Sequence, residues 1–252
     1  MTRALAAIFA HPDDETFATG ATLAKYSGQG VRCSLYCATD GDAGKTAGLP
    51  VSSRAELDRI RRAELKAACG VLGVAPIDFG GHPDGAIAAT EPDLVIGEIV
   101  AHLRRERPQV VLTFGPEGAP TQHRDHRAIS RLATAAFLLA GTATAFPEQL
   151  EGGLAPHWPA RLCYVTWPRP AANSPYPAEG QPTELRIDAR PWLARKSEAF
   201  AAHATQQFSR KHFDALALLD TEDYFVAIGA PVGTPVGAAA AAPADDLFAG
   251  LP

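Results

Sequence analysis

One histidine and three carboxylic acids stand together near the start of the chain, directly after an apolar run at residues 4–10. The five residues at 11–15 are His-Pro-Asp-Asp-Glu. An apolar run of this length is typical of a buried parallel strand, and open α/β sheets bind their ligands beyond the carboxyl ends of such strands. His11 and Asp14 could supply a divalent metal with a nitrogen and an oxygen ligand, and Asp13 could act as base toward the attacking water. The spacing predicts a metal-dependent hydrolase, although the same carboxylates could simply cap a helix that begins near Thr16.

A second polar motif, His-Arg-Asp-His at residues 123–126, follows a second buried-strand pattern at 109–114 and a loop rich in turn residues. Histidines at positions i and i+3 of an opening helical turn share one face. One of His123 and His126 could bind the metal while the other contacts a substrate carbonyl, and Asp125 could orient a ring through a hydrogen bond. Taken alone, the motif could equally be a solvated loop with incidental histidines.

Together the two motifs resemble the LmbE-like zinc deacetylases of the PIG-L superfamily, whose signatures are A-H-P-D-D-E and a later H-P-D-H. Residues 10–15 match the first signature without change, and the second has Arg124 in place of proline. The resemblance implies that zinc is bound by His11, Asp14 and His126. It also implies that Asp13 is the general base, that His123 stabilises the oxyanion, and that Asp125 supports His123.

Weaker matches to the same family run along most of the chain. The resemblance implies substrate contacts from Asp42 in the loop at 39–44, from Arg61 in an R-x-x-E helix, and from Asp84 in a D-G pair. Arg61 could instead form an i,i+3 surface pair with Glu64. A further motif of the family, K-x-x-A-x-x-x-H-x-[ST]-Q, is matched by Lys196, Ala199, His203 and Gln206. Because a histidine on an apolar helix is more often structural than a ligand, His203 is not assigned to the site, and His82 is read as part of a turn.

The composition argues against several other classes of protein. The chain has 252 residues, 46% of them hydrophobic, and a net charge of −5 from 23 basic and 28 acidic residues. No basic stripe suggests nucleic acid, and no apolar stretch approaches the length of about 18 residues that a membrane span needs. The four cysteines form no C-x-x-C pair and are expected to be buried free thiols. With no signal peptide recognised, we expect a cytoplasmic enzyme for a small molecule, compatible with a homo-oligomer.

Apolar strand patterns alternate with helical ones, which predicts an α/β fold: a Rossmann-like doubly wound, mostly parallel sheet with helices on both faces, as in the LmbE-like fold. One domain is expected over 1–229, followed by an Ala/Pro/Gly-rich, mobile tail over 230–252. Loops at 147–160 and 168–182 are candidate lids. The glycine-rich dinucleotide fingerprint is missing after the first strand, so no nicotinamide cofactor is predicted. Strands are predicted at 4–10, 31–39, 76–79, 109–114, 161–166 and 224–229, and helices at 16–27, 53–70, 92–106, 125–140 and 190–203.

The combined prediction is a hydrolase with one Zn²⁺ per chain, replaceable by Fe²⁺ or another divalent metal, that removes the acetyl group from an N-acetylglucosaminyl substrate. Acetate and a free amine would be the products, and Asp13 or His123 would protonate the leaving amine. The resemblance suggests a role in making a low-molecular-weight thiol of the bacillithiol or mycothiol kind, or action on another glycoconjugate or secondary metabolite. Two other classes stay open: a non-haem Fe(II) oxygenase, whose triads usually have H-x-D spacing, and a non-catalytic sugar-binding module.

Overall fold

The computed structural model describes residues 2–167, 180–217, 219–229 and 244–251. Within these ranges seven strands form one sheet in the order β3-β2-β1-β4-β5-β7-β6. Neighbours from β3 to β5 pair in parallel, whereas β7 is antiparallel to both β5 and β6. The predicted α/β class with a mostly parallel sheet is confirmed. The strands are β1 (Ala4–Phe9), β2 (Arg32–Thr39), β3 (Val74–His82), β4 (Val110–Phe114), β5 (Arg161–Thr166), β6 (Leu185–Asp188) and β7 (Thr221–Ile228).

The helices lie on both faces of the sheet, as the handedness of parallel crossovers requires. The chain moves outward from β1 through β2 to β3, then returns across the sheet to β4 and β5, and right-handed crossovers in these two directions place their helices on opposite faces. Accordingly α1, α2 and α6 contact one another, while α3 contacts α4. The helices are α1 (Asp14–Gly28), α2 (Arg54–Leu72), α3 (Pro92–Glu106), α4 (Arg124–Leu139), α5 (Pro147–Glu151), α6 (Leu193–Ala202) and α7 (Arg210–Ala217).

The central strands are apolar because both of their faces are covered. All six residues of β1 and all five of β4 are buried. Helix ends follow local signals: the Ser53 side chain accepts the backbone N–H of Glu56, and Gly73 ends α2 in the left-handed conformation. The four cysteines are buried and free, as predicted. Among the described residues, no helix combines the length and apolar character needed to span a bilayer.

The C-terminal segment differs from the mobile tail expected from its composition. Residues 230–243 and 252 lie outside the described part of the chain, but residues 244–251 pack against the core and bury Leu247 and Phe248. The buried Arg161 guanidinium donates to the carbonyl oxygens of Leu247 and Ala249. The Tyr26 hydroxyl also accepts the backbone N–H of Leu247 at 2.6 Å. Composition did not reveal this anchoring because it depends on residues far away in the sequence. The predicted lid at 168–182 falls almost wholly on residues 168–179, which are outside the described residues.

Candidate active site

The two polar motifs meet at the point where the strand order reverses. β1 and β4 are parallel neighbours, and the loops that leave their carboxyl ends carry residues 11–15 and 123–126. Such a switch point is where an open α/β sheet forms its ligand crevice. A cavity of ≈ 540 Å³ lies there, a size typical of small-molecule sites. Its polar wall includes His11, Asp13, Asp14, Arg61, Asp84, Thr121, His123 and His126.

Asp14 lies between two imidazoles. Its Oδ1 is 3.2 Å from His126 Nε2, and its Oδ2 is 3.4 Å from His11 Nδ1. The His126 ring is fixed by stacking on Phe114, with ring centroids 3.9 Å apart. Burial by itself would raise the pKa of Asp14, but the imidazoles of His126 and His11 hold that pKa well below its usual range. A charged carboxylate flanked by two imidazoles, all three buried, is a donor set that suits zinc.

The opposite side of His11 faces two more carboxylates. His11 Nε2 is 3.2 Å from Asp84 Oδ1 and 3.3 Å from Asp125 Oδ2. Burial opposes charge on this imidazole, but Asp125, Asp14 and Asp84 raise its pKa well above the ordinary value. Negative groups therefore surround His11, and a bound divalent cation would balance them.

Nitrogen and oxygen atoms in this cluster are close enough to hold a metal in more than one combination. The ligand atoms of His11, His123 and His126 lie within 4.8 Å of one another, and so do those of His11, Asp84 and Asp125. His11 belongs to both groups. The set predicted from the sequence uses Asp14 in place of His123, and Asp14 contacts both other rings directly.

The Asp125 carboxylate contacts His11 at 3.3 Å and not the His123 ring, whereas the family resemblance implied that Asp125 supports His123. Its carboxylate also accepts the backbone N–H groups of Gly85, at 2.6 Å, and Ile87, at 3.3 Å. These two backbone donors, together with His11, direct the side chain away from His123. The sequence did not reveal this because the loop at 85–87 is distant along the chain from Asp125.

His123 is prepared to donate a hydrogen bond. Its Nδ1 accepts the backbone N–H of Asp125 at 3.2 Å, which places the proton of a neutral ring on Nε2. Burial, with the neighbouring imidazoles of His11 and His126, lowers the pKa of His123 below its ordinary value. A neutral His123 lining the cavity can therefore offer Nε2–H to a developing oxyanion.

Asp13 occupies a strained backbone conformation beside the metal-ligand candidates. Its φ of 129° and ψ of −25° lie in a region that residues with a side chain rarely adopt. Burial raises the pKa of its carboxyl group to about 7, against the opposing effect of Arg61, whose Nη2 is 3.6 Å from Asp13 Oδ2. A carboxylate in this range on a cavity wall is suited to general base catalysis.

The strain at position 13 can be measured by comparing two variants that both lack the carboxylate. We expect Asp13→Gly to be more stable than Asp13→Ala by about 1–2 kcal/mol, because glycine adopts positive φ without steric cost. Urea unfolding of the two variants with equal metal content gives the difference. Equal stabilities, or a more stable alanine variant, would contradict a strained backbone at Asp13.

Arg61 is buried, with only 3% of its surface exposed, so it is not the surface partner of Glu64 that was the alternative prediction. It donates to the carbonyl oxygens of Gly41, at 3.1 Å, and of Pro12. Glu64 instead accepts the backbone N–H and the hydroxyl of Thr205. Arg61 thus ties the loop at 41–44 to the loop that carries Asp13.

The three predicted substrate contacts are placed differently. Arg61 and Asp84 line the cavity, whereas Asp42 is not among its lining residues. The Asp42 carboxylate accepts the Asp84 backbone N–H at 2.9 Å and pairs with the exposed Arg54 at 3.1 Å. Asp42 therefore holds the backbone of Asp84 in this structure. Its contact with a sugar remains a prediction.

The outer part of the cavity includes residues that the sequence analysis did not assign to the site. They come from five separate segments: Phe17, Lys45, Phe114, Trp167, Gln206, Phe208, Ser209, His212 and Leu216. Of these, only Gln206 carried a signal, through the family motif at 196–206. The others follow no spacing rule, because distant parts of the chain bring them together.

A buried imidazole–carboxylate cluster at the switch point of a Rossmann-like sheet is typical of metal-dependent hydrolases. A family model described as "PIG-L: GlcNAc-PI de-N-acetylase" matches residues 6–137. The chain belongs to this PIG-L family, and the resemblance found in its sequence is confirmed.

Known relatives agree with this assignment. A protein from Acidothermus cellulolyticus, "1D-myo-inositol 2-acetamido-2-deoxy-alpha-D-glucopyranoside deacetylase", is 32% identical over 82% of this chain and 80% of its own length. Among solved structures, N,N'-diacetylchitobiose deacetylase from Pyrococcus horikoshii has a TM-score of 0.75 at 22% identity, covering 89% of this chain and 83% of that one. A 4-carboxy-2-hydroxymuconate hydratase from Pseudomonas putida also has a TM-score of 0.75, at 17% identity, over 93% of this chain and 100% of its own. At these identities the two structures show a common fold, and the chemistry has to be argued from the site.

Proposed function

We propose that the protein is a zinc-dependent deacetylase that hydrolyses the acetamido group of an N-acetylglucosaminyl glycoside and releases acetate and a free amine. The observation that carries this proposal is the position of Asp13. It is a half-buried carboxylate beside Asp14 and His11, on the wall of the cavity that His123 also lines. A base, a hydrogen-bond donor and a metal-type ligand set therefore face one space.

Zinc fits the donor set of His11, Asp14 and His126, two nitrogens and one oxygen at a buried position. When bound there it would polarise the acetyl carbonyl and acidify the attacking water. Asp125 and Asp84, on the Nε2 side of His11, would hold the ring in the orientation that directs Nδ1 toward Asp14.

The residues of the chain supply the proton transfers. Asp13 accepts the proton of the water that attacks the acetyl carbonyl carbon. The carbonyl oxygen gains negative charge as the tetrahedral intermediate forms, and His123 stabilises it by donating Nε2–H. Asp13 or His123 then protonates the sugar nitrogen as the carbon–nitrogen bond breaks, and acetate is left.

The substrate proposal rests on the lining of the cavity and on the relatives. Asp84 offers a carboxylate to sugar hydroxyls, while Phe114 and Trp167 offer apolar rings to the face of a sugar. The name of the Acidothermus relative, with 32% identity, points to a glycoside of N-acetylglucosamine with inositol. We therefore propose an N-acetylglucosaminyl glycoside with a small polar aglycone.

The decisive experiment measures acetate and primary amine released by the zinc-loaded protein from N-acetylglucosaminyl inositol, with the metal-free protein as control. We expect the two products in equal amounts, and turnover that continues without oxygen. Release that required oxygen would favour an Fe(II) oxygenase, and binding without release would favour a sugar-binding module. If the protein hydrated an unsaturated acid and released acetate from no N-acetylglucosaminyl glycoside, it would be a hydratase and the deacetylase proposal would be wrong.

Asp84 is expected to serve the metal centre as well as the sugar. Because its carboxylate lies 3.2 Å from His11 Nε2, we expect Asp84→Ala to weaken zinc binding by about 10–100-fold, as loss of a group that orients a metal ligand commonly does. Competition with a chromophoric chelator measures this change. Asp188→Ala, which removes an exposed carboxylate paired with Arg190, is the control and should bind zinc normally. Unchanged zinc affinity in Asp84→Ala, with a raised KM, would limit Asp84 to substrate binding.

A further inference from the structure

The strained loop at Asp13 is held by hydrogen bonds on both sides of the residue. The carbonyl oxygen of Asp13 accepts the backbone N–H groups of Thr16 and Phe17, each at 3.0 Å. On the other side, Arg61 donates to the carbonyl oxygen of Pro12. The remaining polar group of this backbone is the Asp13 N–H, and it donates to Glu15 Oε2 at 3.0 Å. Glu15 therefore fixes the peptide plane that sets the direction of Asp13.

Glu15 is itself held from outside its own helix. It is completely buried, and its Oε1 accepts the Thr16 hydroxyl at 2.6 Å and His203 Nε2 at 2.8 Å. His203 is the residue at which α6 ends, and it too is completely buried. Its Nδ1 has no hydrogen-bond partner in the part of the chain that the structure describes. Among the described residues, the His203 ring therefore forms its hydrogen bond with Glu15.

We propose that Glu15 and His203 are positioning residues for the catalytic base, a proposal that rests on the deacetylase function proposed for Asp13. Glu15 keeps the Asp13 peptide in its strained orientation, and His203 keeps the Glu15 carboxylate in place. Strain of this kind persists only where the surroundings impose it, and a displacement of about 1 Å at a reacting group can cost 10²-fold in rate. The family motif at 196–206 would thus contribute to the active site through His203, which does not line the cavity.

A second buried ion pair, between α6 and β7, provides a matched control. Lys196 Nζ on α6 lies 2.6 Å from Glu222 Oε1, and the two side chains are 5% and 4% exposed. Glu222 also accepts the backbone N–H groups of Ala21 and Thr22 in α1. This pair resembles Glu15 and His203 in burial. Glu222 bonds to the middle of α1 and Lys196 donates to the Phe17 carbonyl oxygen, so neither side chain bonds to the loop at 11–13. Its loss should affect stability without moving the base.

The experiment compares Glu15→Gln and His203→Asn with Glu222→Gln, each purified with zinc. We expect the first two to lower kcat by about tenfold or more at unchanged KM and zinc content, because the attack geometry is disturbed and not the binding. Glu222→Gln should lower Tm by a comparable amount and leave kcat unchanged. Normal kcat in Glu15→Gln and His203→Asn, or an equal loss of kcat in Glu222→Gln at equal loss of Tm, would overturn the proposal. Loss of zinc in the first two would overturn it as well, by assigning Glu15 to the metal centre.

Hydrogen exchange tests the same bond without any turnover. In the wild type the Asp13 amide should exchange slowly, since it is bonded to a buried carboxylate, and exchange should become at least tenfold faster in Glu15→Gln and in His203→Asn. The Glu222→Gln control should keep the wild-type rate. Fast exchange of this amide in the wild type would overturn the positioning role even if the protein released acetate. Protection without acetate release would instead remove the proposed function and leave the contact of Glu15 with Asp13 established.

Discussion

Asp13→Asn is expected to leave zinc bound and to lower kcat for acetate release by about 10²-fold or more. Asparagine keeps the size of the side chain and adopts positive φ more readily than most residues, so the loop should keep its shape. What it loses is the ability to accept a proton from water. Because that acceptance belongs to the transition state, KM should change little and kcat should carry the loss. Steady-state kinetics with metal analysis of the same preparation measure both quantities.

The control for this variant is Asp188→Asn, which makes the same chemical change at an exposed carboxylate paired with Arg190. It should retain wild-type kcat. If zinc-replete Asp13→Asn also released acetate at a near-normal rate, Asp13 would not be the base. If it lost zinc, Asp13 would belong with the metal ligands, and the effect on kcat would report metal loss.

The second large effect is expected at the metal centre. His11→Ala, Asp14→Ala or His126→Ala should each lower bound zinc well below one ion per folded chain and abolish measurable turnover, because each removes one of three protein ligands. Elemental analysis after dialysis against metal-free buffer gives the occupancy, and circular dichroism verifies the fold. Zinc at full occupancy in any one variant would remove that residue from the ligand set.

His123→Ala is the matched control, since it also removes a cavity imidazole beside His11, with ring centroids 4.9 Å apart. It should retain zinc and lose mainly kcat, because its donated hydrogen bond forms with the oxyanion. The comparison of Asp14→Ala with His123→Ala decides between the two ligand sets that include His11 and His126. If Asp14→Ala retained zinc and His123→Ala lost it, the third metal ligand would be His123 and not Asp14.

The sequence predicted those parts of the site that depend on short spacing. β1 and β4 are apolar throughout because they are covered on both faces, so the strands before His11 and His123 were found within one residue of their bounds. Parallel pairing then brings the two loops together without further information. The β3 strand was predicted too short, since this edge strand is only partly buried and lacks a clear apolar run.

Side-chain direction was the part that could not be predicted. The carboxylate of Asp125 lies against His11 because the backbone donors of Gly85 and Ile87 attract it, and those donors are about 40 positions away in the sequence. Likewise, Glu15 follows Asp14 directly, yet its partner His203 is 188 positions away. Spacing patterns show which residue types are present, whereas these contacts depend on how distant elements pack, as α6 packs against α1 in the case of Glu15 and His203.

The segment at 244–251 also determines how the sheet ends. Ala244 bridges to Leu185 on the outermost strand, and its carbonyl oxygen accepts the Arg186 N–H at 2.7 Å while its N–H donates to the Glu184 carbonyl oxygen at 3.1 Å. An uncovered edge strand exposes such groups and invites pairing with another chain. Here the protein's own backbone takes that place at β6. Growth of the sheet from one copy into the next is thereby hindered at the Leu185 end of β6, where a second copy would first have to displace a segment held by Arg161 and the buried Phe248.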